Sequence, residues 1–382
     1  MNLVEQIKAT NAYGCLECGK CTSICPVSLF SNSYSPRSML TKTIRNEYDS
    51  LFIDYDLWSC LTCRRCDAVC PANIDYSRLN QIVRTSAKDS GFKGKCSHSG
   101  AMELLQKVMT TENINQNRMD WVTDDLETAE EGEVLYYVGC APYFDVFFDD
   151  INISTTEAAK SSIKILNKLG IKPIIMKDER CCGHDLLWNG DLENFKMLAQ
   201  KNIDAVNATG AKTILFSCAE CMSSFSNLYP DNGFKVNQKL MHMSQFIAEQ
   251  IDNKNLDIKE SDIDVTFQDP CRLGRHLGIY DEPRQVLQHN DGEHYHEMMQ
   301  NNKRSLCCGV SAWMNCDTTS KGIQKERLRQ AKQTGADVLT VACPKCHIHL
   351  SCTMKDDFVK DNYEMDIKDI STVVLERMKL KI

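Results

Sequence analysis

The stretch Thr209-Gly-Ala-Lys-Thr-Ile-Leu-Phe-Ser-Cys218 recurs along the chain as Thr334-Gly-Ala-Asp-Val-Leu-Thr-Val-Ala-Cys343, with every member offset by 125 positions. Each copy has a glycine typical of the end of a helix, a short apolar run typical of a buried strand, and then a cysteine. The repeat indicates that one α/β domain has been duplicated.

Each copy of the repeat carries five cysteines, in the order Cys, Cys-Cys-Gly, Cys-x-x-Cys. Set 1 comprises Cys140, Cys181, Cys182, Cys218 and Cys221, and set 2 comprises Cys271, Cys307, Cys308, Cys343 and Cys346. Five thiolates are one more than a tetrahedral zinc site or a cubane cluster uses. The surplus favours an open or bridged iron–sulfur cluster that could bind a sulfur substrate directly.

The cysteines of each copy follow predicted strands. These strands are 134–138, 173–176 and 213–216 in the first copy, and 265–267 and 338–341 in the second. Because sites in open α/β sheets form beyond the carboxyl ends of strands, each set is expected to converge there. Gly183 and Gly309 lack a Cβ, so they are expected to let the backbone pass close to a bulky cluster.

The N-terminal cysteines form a second, independent pattern, because two runs read C-x2-C-x2-C-x3-C-P. In two-cluster ferredoxins the fourth cysteine of each run ligates the other cluster. This rule predicts two cubane [4Fe-4S] clusters: site A with Cys15, Cys18, Cys21 and Cys70, and site B with Cys60, Cys63, Cys66 and Cys25. The long insertion between the runs, helix-favouring around 38–48, indicates an α-helical ferredoxin-like arrangement.

With these residues the chain resembles the heterodisulfide reductase family, whose catalytic subunit carries two cysteine-rich Cys-Cys-Gly (CCG) domains. The resemblance covers nearly the whole sequence, because residues 1–95 are similar to the family's small ferredoxin-like subunit. It implies a noncubane [4Fe-4S] cluster at each five-cysteine set, and all ten ligand positions are kept. Family members often have histidines around Asp-Pro-Cys, whereas this chain reads Gln268-Asp-Pro-Cys-Arg272.

The predicted fold class is α+β multidomain. Residues 1–95 form the two-cluster α-helical ferredoxin-like domain and residues 96–133 a linker. Residues 134–250 and 262–382 form the two repeated α/β, Rossmann-like CCG domains.

The resemblance implies an oxidoreductase that acts on a sulfur group. Its reaction would be reductive cleavage of a mixed disulfide to two thiols, as with coenzyme M-S-S-coenzyme B in methanogenesis, with electrons delivered through the N-terminal clusters. The predicted catalytic residues are Cys181, Cys182, Cys307 and Cys308, with His184 and His347 as candidate proton donors. These histidines neighbour ligand cysteines, and imidazoles titrate near neutrality.

Four basic or titratable residues beside the ligands, Arg272, Arg275, His276 and Lys345, are candidates for substrate binding. The family's substrate carries sulfonate and phosphate groups, which arginine and lysine recognise well. The alternative is that these residues offset the negative charge of the clusters.

A disulfide framework and zinc are the two alternative assignments for the cysteines. A chain of 382 residues can bury a core without disulfides, and its N-terminus has no signal-peptide pattern. Zinc explains neither the adjacent cysteine pairs nor the runs that end in proline. Cys96, Cys316 and Cys352 lie outside both patterns and are expected to be small buried apolar residues.

A second class of function is an electron relay. Iron–sulfur subunits of 2-hydroxy-acid, glycerol-3-phosphate and succinate dehydrogenase complexes share the cysteine-rich domain. The chain has no G-x-G-x-x-G stretch, so no flavin of its own is expected. The expected electron donor is a flavin-containing heterodisulfide reductase subunit or a membrane b-type cytochrome subunit, and the other partner is a small disulfide or thiol.

Composition limits the remaining classes. The net charge of −8, from 44 basic and 52 acidic residues, argues against a nucleic-acid-binding protein. No apolar run reaches the roughly 18 residues that a membrane span requires. The protein is expected to be cytoplasmic and to reach a membrane only through a partner subunit.

Overall fold

The structure is a computed structural model that describes residues 2–290, 292–356 and 363–379. Its N-terminal part is helical. The helices are α1 (Leu3–Lys8), α2 (Lys20–Ile24), α3 (Pro26–Phe30), α4 (Pro36–Ile44), α5 (Tyr48–Ile53), α6 (Asp56–Ser59) and α7 (Tyr76–Asp89).

The starts of these helices follow from the sequence. Asn2 and Glu5 form a reciprocal capping box on α1, and Asp75 accepts a hydrogen bond from the Arg78 N–H at the start of α7. Pro26 and Pro36 occupy first turns, where no amide donor is needed. The predicted α-helical ferredoxin-like arrangement is therefore confirmed.

The first repeat has a three-stranded parallel sheet in the order β1-β2-β3. Its strands are β1 (Val134–Tyr137), β2 (Thr213–Phe216) and β3 (Lys239–His242). A linker helix, α8 (Ala101–Val108), precedes it. The helices of the repeat are α9 (Ala141–Phe147), α10 (Thr156–Lys168), α11 (His184–Trp188), α12 (Leu192–Ala208), α13 (Ala219–Ser223), α14 (Tyr229–Asp231) and α15 (Met243–Asp252).

The second repeat has the same parallel order, β4-β5-β6. Its strands are β4 (Val265–Phe267), β5 (Val338–Val341) and β6 (Asp366–Asp369). Its helices are α16 (Asp281–Gln288), α17 (Thr318–Lys332), α18 (Pro344–Met354) and α19 (Ile370–Arg377). The predicted duplication of an α/β unit is confirmed, whereas the strand expected over 173–176 is wrong: only isolated bridges at Ile174 occur there.

The two repeats pack together through α10 and α19. Ser162 Oγ lies 3.1 Å from Ser371 Oγ, and Ser161 Oγ lies 3.2 Å from Thr372 Oγ1, all in buried positions. Hydroxyl pairs satisfy each other where the helices approach closely. Within the described part of the chain, no helix is long and apolar enough to cross a membrane.

Candidate functional site

The five cysteines of set 1 come together on the loops that follow β1 and β2, on α13, which contains Cys221, and on the loop that contains the Cys-Cys-Gly. Neighbouring thiols shift one another's pKa in the order Cys140, Cys181, Cys182, Cys221 and Cys218, so the five side chains lie next to one another. Convergence beyond the strand ends is the geometry expected of an open α/β sheet.

Set 2 repeats this arrangement, because neighbouring thiols shift one another's pKa in the order Cys271, Cys307, Cys308, Cys346 and Cys343. Hydrogen bonds with Cys307 and Cys346 lower the pKa of Cys308 to about 6.

The two sets meet at one point, because Cys218 and Cys343 are close enough across the repeats for each thiol to shift the pKa of the other. The ten thiols therefore form a continuous row from one repeat to the other. All 21 cysteines are free thiols in the structure.

The N-terminal cysteines divide into two groups. Cys15, Cys18, Cys21 and Cys70 line one cavity, which Cys66 also reaches. Cys25 instead lies with the second run: burial raises its pKa to about 12, and the neighbouring Cys63 and Cys60 act in the same direction. Cys18 is exposed, whereas Cys25, Cys60 and Cys63 are buried.

Three of the candidate substrate-binding residues lie against the N-terminal domain. Arg272 donates to the Thr62 carbonyl and to its hydroxyl, and His276 Nε2 lies 2.9 Å from the same carbonyl. Arg275 donates from Nε to the Cys63 carbonyl at 2.5 Å and from Nη1 to the Ser305 carbonyl at 3.0 Å. The structure therefore places these side chains between site B and set 2.

Lys345 lies apart from those three, at the junction of the two repeats. Its ammonium contacts Asp185 and lies 2.8 Å from Glu220 Oε2, and its side chain is only 4% exposed. His184 Nδ1 lies 3.0 Å from Asp185 and 3.4 Å from Glu220. Sequence reasoning missed both acids, although Glu220 stands inside a Cys-x-x-Cys.

The two candidate proton donors occupy different surroundings. Burial lowers the pKa of His184 to about 4, and the charge of Arg272 adds to this effect. Burial also lowers the pKa of His347 to about 4, and the acids that act on it are Asp366 and Asp145. The structure therefore brings His184, but not His347, into the junction between the sets.

A second buried ion pair, also missed from the sequence, supports set 1. Arg118 lies 2.8 Å from Glu179 Oε1 with both side chains at most 1% exposed, and it also donates to the Gly139 carbonyl. The Glu179 carboxylate accepts hydrogen bonds from the amides of Val138 and Gly139. This pair thus joins the loop before Cys140 to the loop before Cys181.

The glycines of the two Cys-Cys-Gly motifs also pack closely against the helices that follow them. Both have a left-handed φ, +74° at Gly183 and +86° at Gly309. A Cβ at Gly309 would lie 2.8 Å from the Ser320 carbonyl oxygen in α17, and one at Gly183 would lie 3.0 Å from Phe195 in α12. The contacts that require glycine are therefore with the following helices.

The cysteines outside the two patterns are not plain buried apolar residues. Cys316 is exposed, so the prediction for it is wrong. Cys96 Sγ donates to Glu103 at 3.0 Å, and Cys352 Sγ accepts from Lys321 at 3.4 Å. Both are only half-buried.

The donor chemistry of these groups fits iron–sulfur clusters. Cysteine sulfur is a soft ligand that favours such clusters over hard cations. The arrangement offers four groups of thiols, two of five and two of four, and the two groups of five adjoin each other. Basic side chains at Arg272 and Arg275, close to set 2 and site B, suit the negative charge of a cluster with thiolate ligands.

Comparison with known families identifies the domains. A "Cysteine-rich domain" model matches residues 134–226 and 265–351, and a "4Fe-4S dicluster domain" model matches residues 11–74. In fold, the chain is similar to the crystal structure of a hypothetical protein from Helicobacter pylori, with a TM-score of 0.56 and 10% identity over 100% of this chain and 72% of that one.

Several curated proteins are similar in sequence. A dihydromethanophenazine:CoB--CoM heterodisulfide reductase subunit of Methanosarcina barkeri is 28% identical over 81% of this chain and 75% of its own length. The Methanosarcina acetivorans protein of the same name is 29% identical over 70% of this chain and 64% of its own length. EtfAB:quinone oxidoreductase of Syntrophomonas wolfei is 29% identical over 58% of this chain and 31% of its own length.

These matches account for both cysteine patterns and for the order in which they occur. The chain spans 64 to 75% of the length of the two heterodisulfide reductase subunits. It is an iron–sulfur oxidoreductase homologous to these heterodisulfide reductase subunits, in which a 4Fe-4S dicluster domain precedes two cysteine-rich domains.

Proposed function

We propose that this protein reductively cleaves a small-molecule disulfide at the junction between set 1 and set 2. The observation that carries the proposal is the contact between Cys218 and Cys343, which joins two complete five-cysteine sets. A simple electron relay has no need for a second complete set in contact with the first.

The reaction consumes two electrons and two protons, and it converts one disulfide into two thiols. The sulfur–sulfur bond breaks and each sulfur gains one electron and one proton. An iron–sulfur cluster at each set, when bound, supplies single electrons and iron that has affinity for thiolate sulfur. The duplicated domain provides one set for each of the two product sulfurs.

The chain's own residues suit this reaction. The junction around Lys345 is buried, and His184 lies there beside Cys182. Because burial lowers the pKa of His184 to about 4, its imidazole is uncharged at neutral pH and would have to gain a proton before it could donate one to a product thiolate. Arg272 and Arg275 remain candidates for binding the anionic groups of the substrate. Alternatively, they balance the negative charge of clusters at set 2 and site B.

Electrons would enter at site A, where Cys18 is exposed, and continue through buried site B to set 2. Cys63 of site B is close enough to Cys307 of set 2 to raise its pKa. The donor would be a flavin-containing or cytochrome subunit, in keeping with relatives that are named as subunits of larger oxidoreductases. The proposed location is cytoplasmic, with any attachment to a membrane made through this partner subunit.

The second candidate function is an electron relay between a dehydrogenase and an acceptor. The similarity to EtfAB:quinone oxidoreductase favours it. In that case substrate sulfur would never contact set 1 or set 2.

Two substitutions separate these functions. Cys307→Ser should abolish disulfide reduction by an artificial one-electron donor while the EPR signals of the N-terminal clusters remain. Cys63→Ser should instead interrupt electron entry from the natural donor. Normal turnover of a Cys307→Ser protein that has lost iron at set 2 would refute the proposed site.

Metal analysis tests the cofactor assignment. Four [4Fe-4S] clusters require about sixteen iron atoms per chain, by the usual stoichiometry of such motifs. Anaerobically purified protein should approach that content. Stoichiometric zinc, with iron confined to the N-terminal domain, would contradict iron–sulfur clusters at set 1 and set 2.

A further inference from the structure

One position of the duplicated motif carries opposite charges in the two repeats. Glu220 is the third residue of Cys218-Ala-Glu-Cys221, and Lys345 is the third residue of Cys343-Pro-Lys-Cys346, 125 positions later. These equivalent residues pair with each other, because Lys345 Nζ lies 2.8 Å from Glu220 Oε2. The contact stands beside the one between Cys218 and Cys343.

The pair belongs to a buried network that crosses the junction. Lys345 also binds Asp185, the second residue of α11, and Gln106 of α8 donates to the other oxygen of that carboxylate at 3.1 Å. The Lys345 ammonium lies 5.0 Å from the centre of the Trp313 ring. Repeat 1 thus supplies the acids, and repeat 2 supplies the cation.

Burial of these charges is costly, so stability alone is a poor explanation for them. Taking an ion from water into a protein is strongly unfavourable, and an ion pair at best offsets this cost. Buried polar contacts are better suited to select one way of packing two domains from several that apolar contacts alone would allow. Here the specified arrangement is the docking of one five-cysteine set against the other.

We propose that Lys345 is a positioning residue, which holds set 1 and set 2 at the separation at which both sulfurs of one disulfide fit between them. Lys345 lies in the first turn of α18 between Cys343 and Cys346, and its partners adjoin Cys182, Cys218 and Cys221. The inference rests on the proposed function. It assigns Lys345 to the scaffold of the junction, not to the binding of substrate anions.

The test is to compare Lys345→Met and Lys345→Arg with the wild type. Lys345→Met keeps most of the side-chain volume without the charge, and Lys345→Arg keeps the charge. A matched control is Lys368→Met, which removes a lysine of repeat 2 that pairs with Asp366 and Glu376 on the surface. The readouts are iron content and the magnetic interaction between the paramagnetic centres of the two sets by EPR.

We expect Lys345→Met to keep its iron but to weaken the magnetic interaction and to lower disulfide turnover at least tenfold. Lys345→Arg and Lys368→Met should retain both properties. An unchanged interaction in Lys345→Met would overturn the inference. If Lys345→Met fails to hold iron, Glu220→Gln provides the same test, because it removes one charge of the pair and keeps a hydrogen-bonding group.

A metal-independent measurement separates this inference from the proposed function. If set 1 and set 2 of the wild-type protein bind no iron, the proposed function is refuted. The positioning role can still be tested in that protein by cross-linking Cys218 to Cys343 with diamide. The two thiols form a disulfide as they lose two electrons and two protons, and diamide is reduced by them. A lower cross-link yield in Lys345→Met than in Lys368→Met would support the positioning role, and equal yields would overturn it.

Discussion

At the scale of single residues, two buried ion pairs hold the ligand loops in place. Lys345 joins the two repeats, whereas Arg118 and Glu179 join two loops of one repeat. Glu179 accepts from the amides of Val138 and Gly139, so it orders the chain just before Cys140. Loss of either partner would leave a charge buried without compensation.

Arg118→Met should therefore destabilise the protein strongly. Breaking a buried pair by removing one partner costs about 3 to 5 kcal/mol. Denaturant unfolding measures this loss, and Lys177→Met serves as the control because the Lys177–Glu130 pair is exposed. An exposed pair contributes about 1 kcal/mol or less. Equal losses in the two variants would contradict the role assigned to Arg118.

The sequence predicts the cysteines at this scale but not the charges that support them. Spacing within one short motif identifies the ligands, since Cys218 and Cys221 must face the same site. Arg118 lies in the linker, and its partner Glu179 comes 61 positions later. A pairing between residues so far apart in the sequence depends on the tertiary structure, and no local sequence pattern predicts it.

At the scale of helices and strands, burial decides which elements the sequence predicts. β1, β2, β4 and β5 are apolar runs, and the sequence predicts each of them. It does not predict the third strand of either sheet, because β3 and β6 carry charged residues and each begins with an exposed position. Charged residues interrupt the apolar run by which a buried strand is recognised in a sequence.

Gly190 tests how closely the N-terminal domain packs on the first repeat. It follows α11 with φ +88°, and a Cβ there would lie 2.5 Å from the carbonyl oxygen of Arg84 in α7. Gly190→Ala should therefore force backbone atoms apart and weaken the domain contact. Unfolding and limited proteolysis between the domains would measure this effect.

Gly170→Ala is the matched control for this substitution. Gly170 has a similar φ of +75°, but a Cβ there would meet nothing within 4 Å. Its replacement should cost only the left-handed strain of about 1 to 2 kcal/mol. If Gly190→Ala lowers the free energy of unfolding no more than Gly170→Ala does, the close approach of α7 to Gly190 does not contribute to stability.

At the scale of the whole molecule, the cysteine groups form an ordered series. Site A opens to the surface at Cys18, and buried site B follows it. Set 2 adjoins site B through Arg275, and set 1 adjoins set 2 through the Cys218–Cys343 contact. The sequence predicts the four groups, but their order depends on domain packing.

This order predicts that Arg275 controls the passage of electrons into the repeats. Its guanidinium spans from the Cys63 carbonyl to the Ser305 carbonyl, so Arg275→Met removes the polar contacts between site B and the loop before set 2. Each lost charge-assisted hydrogen bond costs about 1.5 to 3 kcal/mol, enough to loosen this junction. We expect site A and site B to be reduced at the wild-type rate and set 2 to be reduced more slowly. Freeze-quench EPR after mixing with dithionite would measure both rates.

Arg329→Met is the control, since Arg329 pairs with Glu326 on the surface of α17 and should leave every rate unchanged. The Arg275→Met variant also tests substrate binding in a steady-state assay, because Arg275 is also a candidate for contact with substrate anions. A raised KM for the disulfide with normal reduction of set 2 would favour that role. Reduction of set 1 before set 2 in the wild type would contradict the order itself, because set 1 would then receive electrons by a route that bypasses Arg275.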